Sequence, residues 1–308
     1  MIPQGAPGAA LALGEDGPVR GVHRFSHAAM ATVFEVHCAH ADAGYARQAA
    51  QAAFDLVDRL ERDLSRFIAN SDVSRINHLT AGESTRVSPW TMECLELARR
   101  LYGLTGKAFD VSIGSGMERL ELVPSGFTVQ ARAGGARLDL GGIGKGYAVD
   151  RMAEVLEEWE IPRALVHGGF SSVRAMEAPP DRDGWPLTLS APGPGDGRIL
   201  ARVSARQKAF SASGVRKGDH ILDPRTGRPV RGRAAAWVAV PAGLVSLEVD
   251  TSPAAVADAL STAFMIQPME EITDLCRRHP GLEAWLVPRP TKGAGTAPAH
   301  IHSCASQA

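Results

Sequence analysis

The stretch Leu138-Asp-Leu-Gly-Gly-Ile-Gly-Lys-Gly-Tyr-Ala-Val-Asp150 joins three local patterns. Residues 136–140 are strand-like, four glycines around Lys145 follow, and apolar residues then recur at helical spacing. Strand, glycine turn and helix start together bind phosphate, because glycines let the backbone approach an anion and the N–H groups at a helix start point towards it. The spacing matches neither the P-loop nor G-x-G-x-x-G. From these residues alone, a tight turn with a surface lysine is therefore the alternative interpretation.

The composition indicates an ordinary globular protein. Of its 308 residues 44% are hydrophobic and 22% are charged, and the net charge is −1. This near-neutral charge argues against nucleic acid or an anionic membrane as the main partner, and no apolar run is long enough to span a bilayer. The four cysteines have no C-x-x-C spacing, which argues against a zinc site or a disulfide framework. The N-terminal segment lacks the pattern of a signal peptide, so we expect a cytoplasmic protein.

Hydrophobic periodicity predicts a mixed α+β fold, because strands and helices follow one another without strict alternation. The predicted helices cover residues 46–64, 89–104, 145–159, 253–266 and 269–278, and Ser71 can cap a short turn over residues 72–77. The predicted strands cover residues 32–38, 127–131, 137–140, 163–167, 185–191, 199–205, 234–240 and 283–287, with another short strand inside 105–114. We expect a flexible arm over residues 1–24, one domain over 25–288, and a disordered tail over 289–308 that is rich in Pro, Gly, Ala and Ser.

A second unusual stretch is His220-Ile-Leu-Asp-Pro-Arg-Thr-Gly-Arg-Pro-Val230. It contains a turn that begins at Asp223-Pro224 and carries histidine, aspartate, arginine and threonine together. Histidine can accept a proton from a hydroxyl near neutral pH, so His220 is a candidate general base. The alternative is a structural turn in which Asp223 caps the backbone and Arg225 is solvated.

Asp258 and Thr262 lie four residues apart in a predicted helix, so their oxygens leave the same helix face. A carboxylate and a hydroxyl at this spacing suit a hard cation such as Mg²⁺, which takes few protein ligands and completes its shell with phosphate oxygens and water. From the pair alone, a merely polar helix face is the simpler interpretation.

Together these stretches resemble the FAD:protein FMN transferases, the ApbE family of flavin transferases. Residues 138–150 are similar to D-L-G-G-I-A-K-G-Y-A-V-D, residues 220–230 to H-I-I-D-P-x-T-G-x-P-V and residues 258–262 to D-A-L-A-T, in the same order. Met30-Ala-Thr32 resembles M-G-T, residues 65–77 resemble S-x-[FY]…S-[DE]-[IL]-x-x-[IL]-N, and residues 105–110 resemble T-x-G-A-F-D. The resemblance covers residues 25–290 and implies an α+β fold.

The resemblance implies an enzyme that binds FAD with Mg²⁺ and transfers FMN to a Thr or Ser hydroxyl of an acceptor flavoprotein, releasing AMP. It implies that Asp258, Thr262 and the Gly144 carbonyl hold the metal, and that His220 is the base for the incoming hydroxyl. The positions that would bind FAD are Met30, Ser65, Asp72, Asp110, Lys145 and Gly169. Two rival functions stay open: an FAD pyrophosphatase that uses water as the acceptor, and a flavin-binding module without turnover.

The sequence departs from the family pattern at four places. Ala31 replaces the glycine of M-G-T, A-T-S-G is here Ser211-Ala-Ser-Gly214, a usual double His is Asp219-His220 after a short segment, and G-G-D ends in Phe170. The second change removes a threonine hydroxyl that we expect near the flavin, and the last replaces a carboxylate by an aromatic ring. The family is also commonly exported, often as a lipoprotein, whereas this sequence shows no lipobox.

Overall fold

The structure is a computed structural model that describes residues 10–13, 21–190, 199–214, 221–244, 252–289 and 302–303. This part of the chain contains six α-helices, namely α1 (Ala43–Leu64), α2 (Asp72–Asn77), α3 (Pro89–Leu104), α4 (Gly144–Glu158), α5 (Pro253–Ala263) and α6 (Met269–Arg278). The longest helix, α1, buries one stripe that includes Phe54, Val57 and Leu60. Apolar residues at this 3.6-residue period give each helix a face for a common core.

The largest sheet has eight strands, each antiparallel to its neighbours. They are β2 (Val22–Ala29), β3 (Thr32–Ala39), β7 (Ala164–Gly168), β8 (Ser172–Ala175), β11 (Lys208–Gly214), β14 (Arg233–Pro241), β15 (Glu283–Pro288) and β16 (His302–Ser303). Their order across the sheet is β16-β15-β14-β11-β8-β7-β3-β2. This order brings the ends of β11, β8, β7 and β3 side by side.

Smaller sheets complete the fold. One has the order β1-β9-β10 and is formed by β1 (Ala10–Leu13), β9 (Trp185–Ser190) and β10 (Ile199–Ala205). Another has the order β4-β6-β5 and is formed by β4 (Ser84–Arg86), β5 (Leu120–Val123) and β6 (Thr128–Ala131). A short hairpin pairs β12 (Leu222–Asp223) with β13 (Arg228–Pro229).

Two hydrophobic cores lie on opposite faces of the eight-stranded sheet. Along β11, Ala209 belongs to the core that packs under the helices, whereas Phe210 and Ala212 belong to the core beneath the β1-β9-β10 sheet. This alternation follows from the two-residue period of a strand. The second core also contains Trp185 and Trp237, both fully buried. Odd-numbered residues of β11 therefore face the helices, where Asp258 lies.

The predicted helices and the mixed α+β class are confirmed. Helix α3 begins after Ser88, whose hydroxyl accepts the Thr91 N–H at 3.1 Å, and α2 begins after Ser71, whose hydroxyl accepts the Ser74 N–H at 2.9 Å. Both serines are N-caps, and Pro89 occupies the first turn of α3. The main difference is that α5 ends at Ala263, before the predicted end of that helix.

Two predicted strands are wrong. Residues 137–140 belong to no sheet, because the Leu138 N–H donates to Asn77 Oδ1 at 2.6 Å and the Leu138 carbonyl accepts from Asn77 Nδ2 at 3.0 Å. A side chain thus takes the place of a partner strand. Residues 105–114 form turns. Alternating burial at residues 136, 138 and 140 is what made the first stretch resemble a strand.

Parts of the predicted terminal segments lie in strands. Within residues 1–24, Ala10–Leu13 forms β1, and β2 already begins at Val22. Within residues 289–308, His302–Ser303 forms β16. All three are edge strands of their sheets. The described part of these segments is attached by backbone hydrogen bonding on one side.

Candidate active site

Hydroxyl and carboxylate groups meet where the C-terminal half of β11 faces α5. Ser211 Oγ lies 3.2 Å from Asp258 Oδ1, and Ser213 Oγ lies 3.2 Å from Thr262 Oγ1. Ser213 also lies 2.8 Å from the Ser261 hydroxyl. Because Asp258 and Thr262 are one helical turn apart, their side chains meet alternate residues of the strand beneath them. The structure thus confirms that these two oxygen donors share a helix face.

The start of α4 supplies positive charge to the same carboxylate. The Gly146 N–H donates to Asp258 Oδ2 at 3.1 Å, and Lys145 Nζ lies 3.7 Å from that oxygen. Lys145 Nζ also donates to the Gly141 carbonyl at 3.1 Å, which holds the ammonium over the glycine turn. Asp258 is only 3% exposed. A buried carboxylate needs such partners, because removal from water otherwise penalises the charged form.

Helices α4 and α5 approach closely enough to fix Asp258. A Cβ atom on Gly146 would lie 2.2 Å from the Ala254 carbonyl oxygen, so only glycine permits this contact. Asp150 of α4 accepts the N–H groups of Ala254 and Ala255 at 3.0 and 2.9 Å, and so caps α5. Burial raises the pKa of Asp150 to about 6. Each helix therefore supplies a carboxylate to the N-terminal amides of the other.

The glycine turn brings the backbone next to Thr262. A Cβ atom on Gly142 would lie 3.5 Å from Thr262 Oγ1 and 3.3 Å from the Phe109 ring. Gly144 begins α4, and its N–H donates to the Leu140 carbonyl at 2.7 Å. The predicted coordination of a metal by the Gly144 carbonyl stays a prediction.

Asp110 organises a neighbouring loop. Its carboxylate accepts the Ser112 N–H at 2.8 Å and the Gly114 N–H at 3.0 Å, and it also accepts from the Ser112 hydroxyl. Gly114 has φ +75°, and a Cβ atom there would lie 2.8 Å from the Pro224 carbonyl oxygen. The turn that follows His220 in the sequence is therefore packed against the Asp110 loop. His220 itself lies outside the described residues, so its role as a base stays a prediction.

Met30 and Gly169 lie in two turns that are next to each other at one end of the strands of the eight-stranded sheet. Met30 and Ala31 have φ values of 48° and 55° and form the two-residue turn between β2 and β3. Gly169 has φ +61°, and a Cβ atom there would lie 2.4 Å from Thr32 Oγ1. Its turn continues to Ser171, whose carbonyl oxygen lies 2.8 Å from Ser211 Oγ. These contacts connect both turns to the strand that faces Asp258.

Ser65 and Asp72 make local structural contacts. Ser65 Oγ accepts the Phe67 N–H at 3.2 Å. Asp72 Oδ2 accepts the Ser88 N–H at 2.7 Å, and Arg75 pairs with Oδ1. These bonds join α2 to the start of α3. Binding of FAD by Ser65 or Asp72 stays a prediction.

The loop after Ser65 is tied to the glycine turn. Arg66 Nε lies 3.0 Å from Asp139 Oδ2, and Asp139 Oδ1 accepts the Gly141 N–H at 2.9 Å. Arg66 also lies over the exposed Phe67 ring, 4.4 Å from its centroid. This pair brings the loop to the entrance of the turn that carries Lys145.

The structure adds Ser211 and Ser213 to the residues that the sequence predicts for the site. The A-T-S-G-like motif located them, but only the two-residue period of β11 shows which side chains face α5. Ala212 instead lies in the second core, paired across the sheet with Trp237. The threonine hydroxyl missing at position 212 thus belongs to the opposite face. Its loss therefore removes no hydroxyl from the face that carries Asp258 and Thr262, and the expected place of position 212 near the flavin stays a prediction.

Phe170 is 64% exposed and meets the buried His167 ring edge-on, with 5.9 Å between centroids. The ring therefore lies at the tip of the turn between β7 and β8, one residue from Ser171. A carboxylate in its place would be solvated.

The donor set suits a hard cation. In the described residues no three His, Cys, Asp or Glu side chains are grouped as a metal site. Asp258 and Thr262 present a carboxylate and a hydroxyl, and Mg²⁺ commonly uses one or two carboxylates with phosphate and water oxygens. The residues therefore fit Mg²⁺ bound together with a phosphate-containing ligand, and do not fit a metal that requires a soft sulfur or nitrogen set.

None of the helices that the structure describes has the length and apolar character needed to cross a bilayer.

The chain is similar to known flavin transferases over most of its length. The FAD:protein FMN transferase of Vibrio cholerae is 29% identical, over 70% of this chain and 72% of that protein. The enzyme of the same name from Salmonella typhimurium is 26% identical, over 87% of this chain and 84% of that protein.

Solved structures share the fold. The flavin transferase ApbE from Vibrio cholerae superposes with a TM-score of 0.75 at 22% identity, over 93% of this chain and 98% of that one. The apo form of the Pseudomonas stutzeri flavinyl transferase ApbE gives a TM-score of 0.73 at 24% identity, over 88% and 92%. The model of the ApbE family matches residues 30–286, which include every described residue of the site, and the chain therefore belongs to the ApbE family.

Proposed function

We propose that this protein is an FAD:protein FMN transferase that moves FMN from FAD to a Thr or Ser hydroxyl of an acceptor flavoprotein and releases AMP. Its relatives carry this name. One observation carries the proposal for this chain: Asp258, Thr262 and the Lys145 ammonium converge at the glycine-rich start of α4. A phosphoryl group needs this combination of oxygen ligands for a cation, fixed positive charge and close backbone approach.

The charged residues have separable tasks. Asp258 and Thr262 would hold Mg²⁺, with the Gly144 carbonyl as a further ligand. When bound, the ion would neutralise charge on the pyrophosphate and on the transferring phosphoryl group. Lys145 lies beside the same carboxylate and would stabilise negative charge on the phosphate oxygens. Gly142 keeps the turn open, because its missing Cβ leaves room between Phe109 and Thr262.

The transfer step forms one bond and breaks one bond. The acceptor hydroxyl oxygen bonds to the phosphorus of the FMN half, the pyrophosphate P–O bond breaks, and AMP leaves with the bridging oxygen. His220 would take the hydroxyl proton. Met30, Ser65, Asp72, Asp110 and Gly169 are proposed to line the FAD site.

The test uses the full chain with FAD and Mg²⁺, with and without an acceptor fragment that carries a flavinylation site. We expect covalent flavin fluorescence on the acceptor and stoichiometric AMP. Asp258→Asn should reduce transfer by at least 100-fold, as expected for removal of the charged ligand. The control Asp274→Asn removes an exposed carboxylate of α6 that pairs with Arg277 and Arg278, and it should retain wild-type activity.

Each other outcome has a definite meaning. AMP that is still released when the acceptor is omitted would identify an FAD pyrophosphatase. Bound FAD with neither product would identify a flavin-binding module. Full transfer by Asp258→Asn would refute the role of this carboxylate.

A further inference from the structure

We propose that Ser211 is a positioning residue that orients the Asp258 carboxylate for its cation. The inference rests on the proposed function, because it concerns the metal ligand of the same site. It assigns a role to a residue that the family motif does not predict, since the A-T-S-G pattern has alanine at this position.

The carboxylate is held by one donor on each oxygen. Ser211 lies 3.2 Å from Oδ1, and the Gly146 N–H lies 3.1 Å from Oδ2. The two donors come from different elements, β11 and α4. A carboxylate held at both oxygens cannot rotate about χ2 without losing a bond. Its plane is therefore fixed before a cation arrives, which lowers the cost of ordering a ligand.

Besides the Ser172 hydroxyl at 3.4 Å, the Ser211 proton has two acceptors within reach. The Ser171 carbonyl is the nearer one, at 2.8 Å, but that carbonyl already accepts the Ala212 N–H at 2.8 Å. Within the described residues, Asp258 Oδ1 accepts a hydrogen bond from Ser211 alone. Leaving a buried carboxylate oxygen without a hydrogen-bond donor costs more free energy than removing one of two donors from a carbonyl oxygen. The Ser211 hydroxyl is therefore expected to donate its hydrogen bond to Asp258.

The hydroxyl arrangement on β11 departs from the A-T-S-G pattern of the family. Relative to A-T-S-G, the hydroxyl at position 212 is absent and one is present at position 211. Position 212 faces the second core, whereas position 211 faces α5 and is fully buried. This exchange therefore moves a hydroxyl from the far face of the sheet onto the metal ligand.

The test measures cation binding directly. The full chain is titrated with Mn²⁺ in the presence of FAD and without acceptor. The EPR signal of the free ion reports how much Mn²⁺ is unbound. A titration of FAD without protein serves as the blank. Groups that hold a metal ligand typically change affinity by about 10–100-fold when removed. Ser211→Ala should therefore weaken Mn²⁺ binding by about tenfold. Ser211→Cys keeps the volume but has only a weak donor, and it should weaken binding in the same direction.

Ser172→Ala is the matched control. Ser172 is as buried as Ser211 and lies opposite it on β8, but its hydroxyl contacts Ser211 at 3.4 Å and not Asp258. Both alanine variants lose a buried hydroxyl, so a general loss of stability affects both. Of the two alanine variants, we expect only Ser172→Ala to bind Mn²⁺ with an affinity within about twofold of wild type.

The outcomes separate this inference from the proposed function. Wild-type protein that binds no Mn²⁺ would refute the metal site itself. Tight wild-type binding with an unchanged constant in Ser211→Ala and Ser211→Cys would refute the positioning role and leave the metal site standing. An equal loss in Ser172→Ala and Ser211→Ala would also refute it, because the effect would then be structural.

Discussion

Replacing Gly146 by alanine should destabilise the protein even though alanine is the better helix former. The new Cβ would lie 2.2 Å from the Ala254 carbonyl oxygen, 2.6 Å from its carbon and 2.8 Å from Ala255 Cα. All three are backbone atoms, so no side chain can rotate away. Restoring an ordinary contact of about 3.2 Å requires α4 and α5 to separate by about 1 Å. Overpacking of this kind lowers the free energy of unfolding by about 3 kcal/mol.

The helix propensity of alanine offsets part of this cost. Glycine to alanine in a helix interior contributes about 1 kcal/mol, so the net loss in the free energy of unfolding is about 2 kcal/mol. Urea unfolding followed by far-UV circular dichroism measures this difference. The separation also lengthens the bond from the Gly146 N–H to Asp258, so Mn²⁺ binding should weaken in the same variant.

Gly103→Ala is the control for propensity. Gly103 lies in α3, and a Cβ atom there would meet nothing within 4 Å. This variant should gain up to about 1 kcal/mol. If Gly146→Ala were as stable as Gly103→Ala, the close approach of α4 and α5 would not exist and the reasoning would fail.

Two further changes test contacts that the fold depends on. Asn77→Ala should lower the free energy of unfolding by about 2 kcal/mol in the same urea experiment, because it removes two hydrogen bonds to the Leu138 backbone. Asp150 has a pKa of about 6 in the folded protein and about 3.9 when unfolded, so its carboxyl binds more protons in the folded state between these values, and its contribution to the free energy of unfolding should fall by about 2 kcal/mol as pH rises from 4 to 6. Asp150→Asn should lack this decrease, and an identical pH dependence of the two proteins would contradict the assignment.

Local signals in the sequence predicted most of the helices. Ser88-Pro89 and Ser71 cap their helices in the structure as their residue types require. Residues 137–140 were misassigned, because the backbone of Leu138 bonds to the side chain of Asn77, sixty-one residues away, and the Asp139 N–H donates to the Val111 carbonyl. No local pattern contains that pairing. The short strand β8 was missed, and so were the longer strands β2 and β11.

The site was predictable where its spacing is local. Asp258 and Thr262 lie one turn apart, so the sequence alone placed them on one face. Ser211 could not be found in this way, since its contact with Asp258 spans forty-seven residues and depends on which face of β11 it occupies. A one-residue shift in the register of that strand would direct Ala212 to the helices instead. Such long-range register is fixed by the assembled sheet and not by any short stretch.

Helices α4 and α5 each supply one carboxylate to the N-terminal amides of the other, and this arrangement has an evolutionary consequence. Asp258 accepts a hydrogen bond from one amide N–H at the start of α4, and Asp150 accepts hydrogen bonds from two amide N–H groups at the start of α5. Natural selection for a folded chain alone would therefore retain Asp258, because drift at this position would loosen the packing of both helices. In a duplicated gene whose product had ceased to turn over substrate, this aspartate would persist long after the chemistry was lost. Its presence in a relative is then a sign of an intact helix pair, and activity must be judged from other positions.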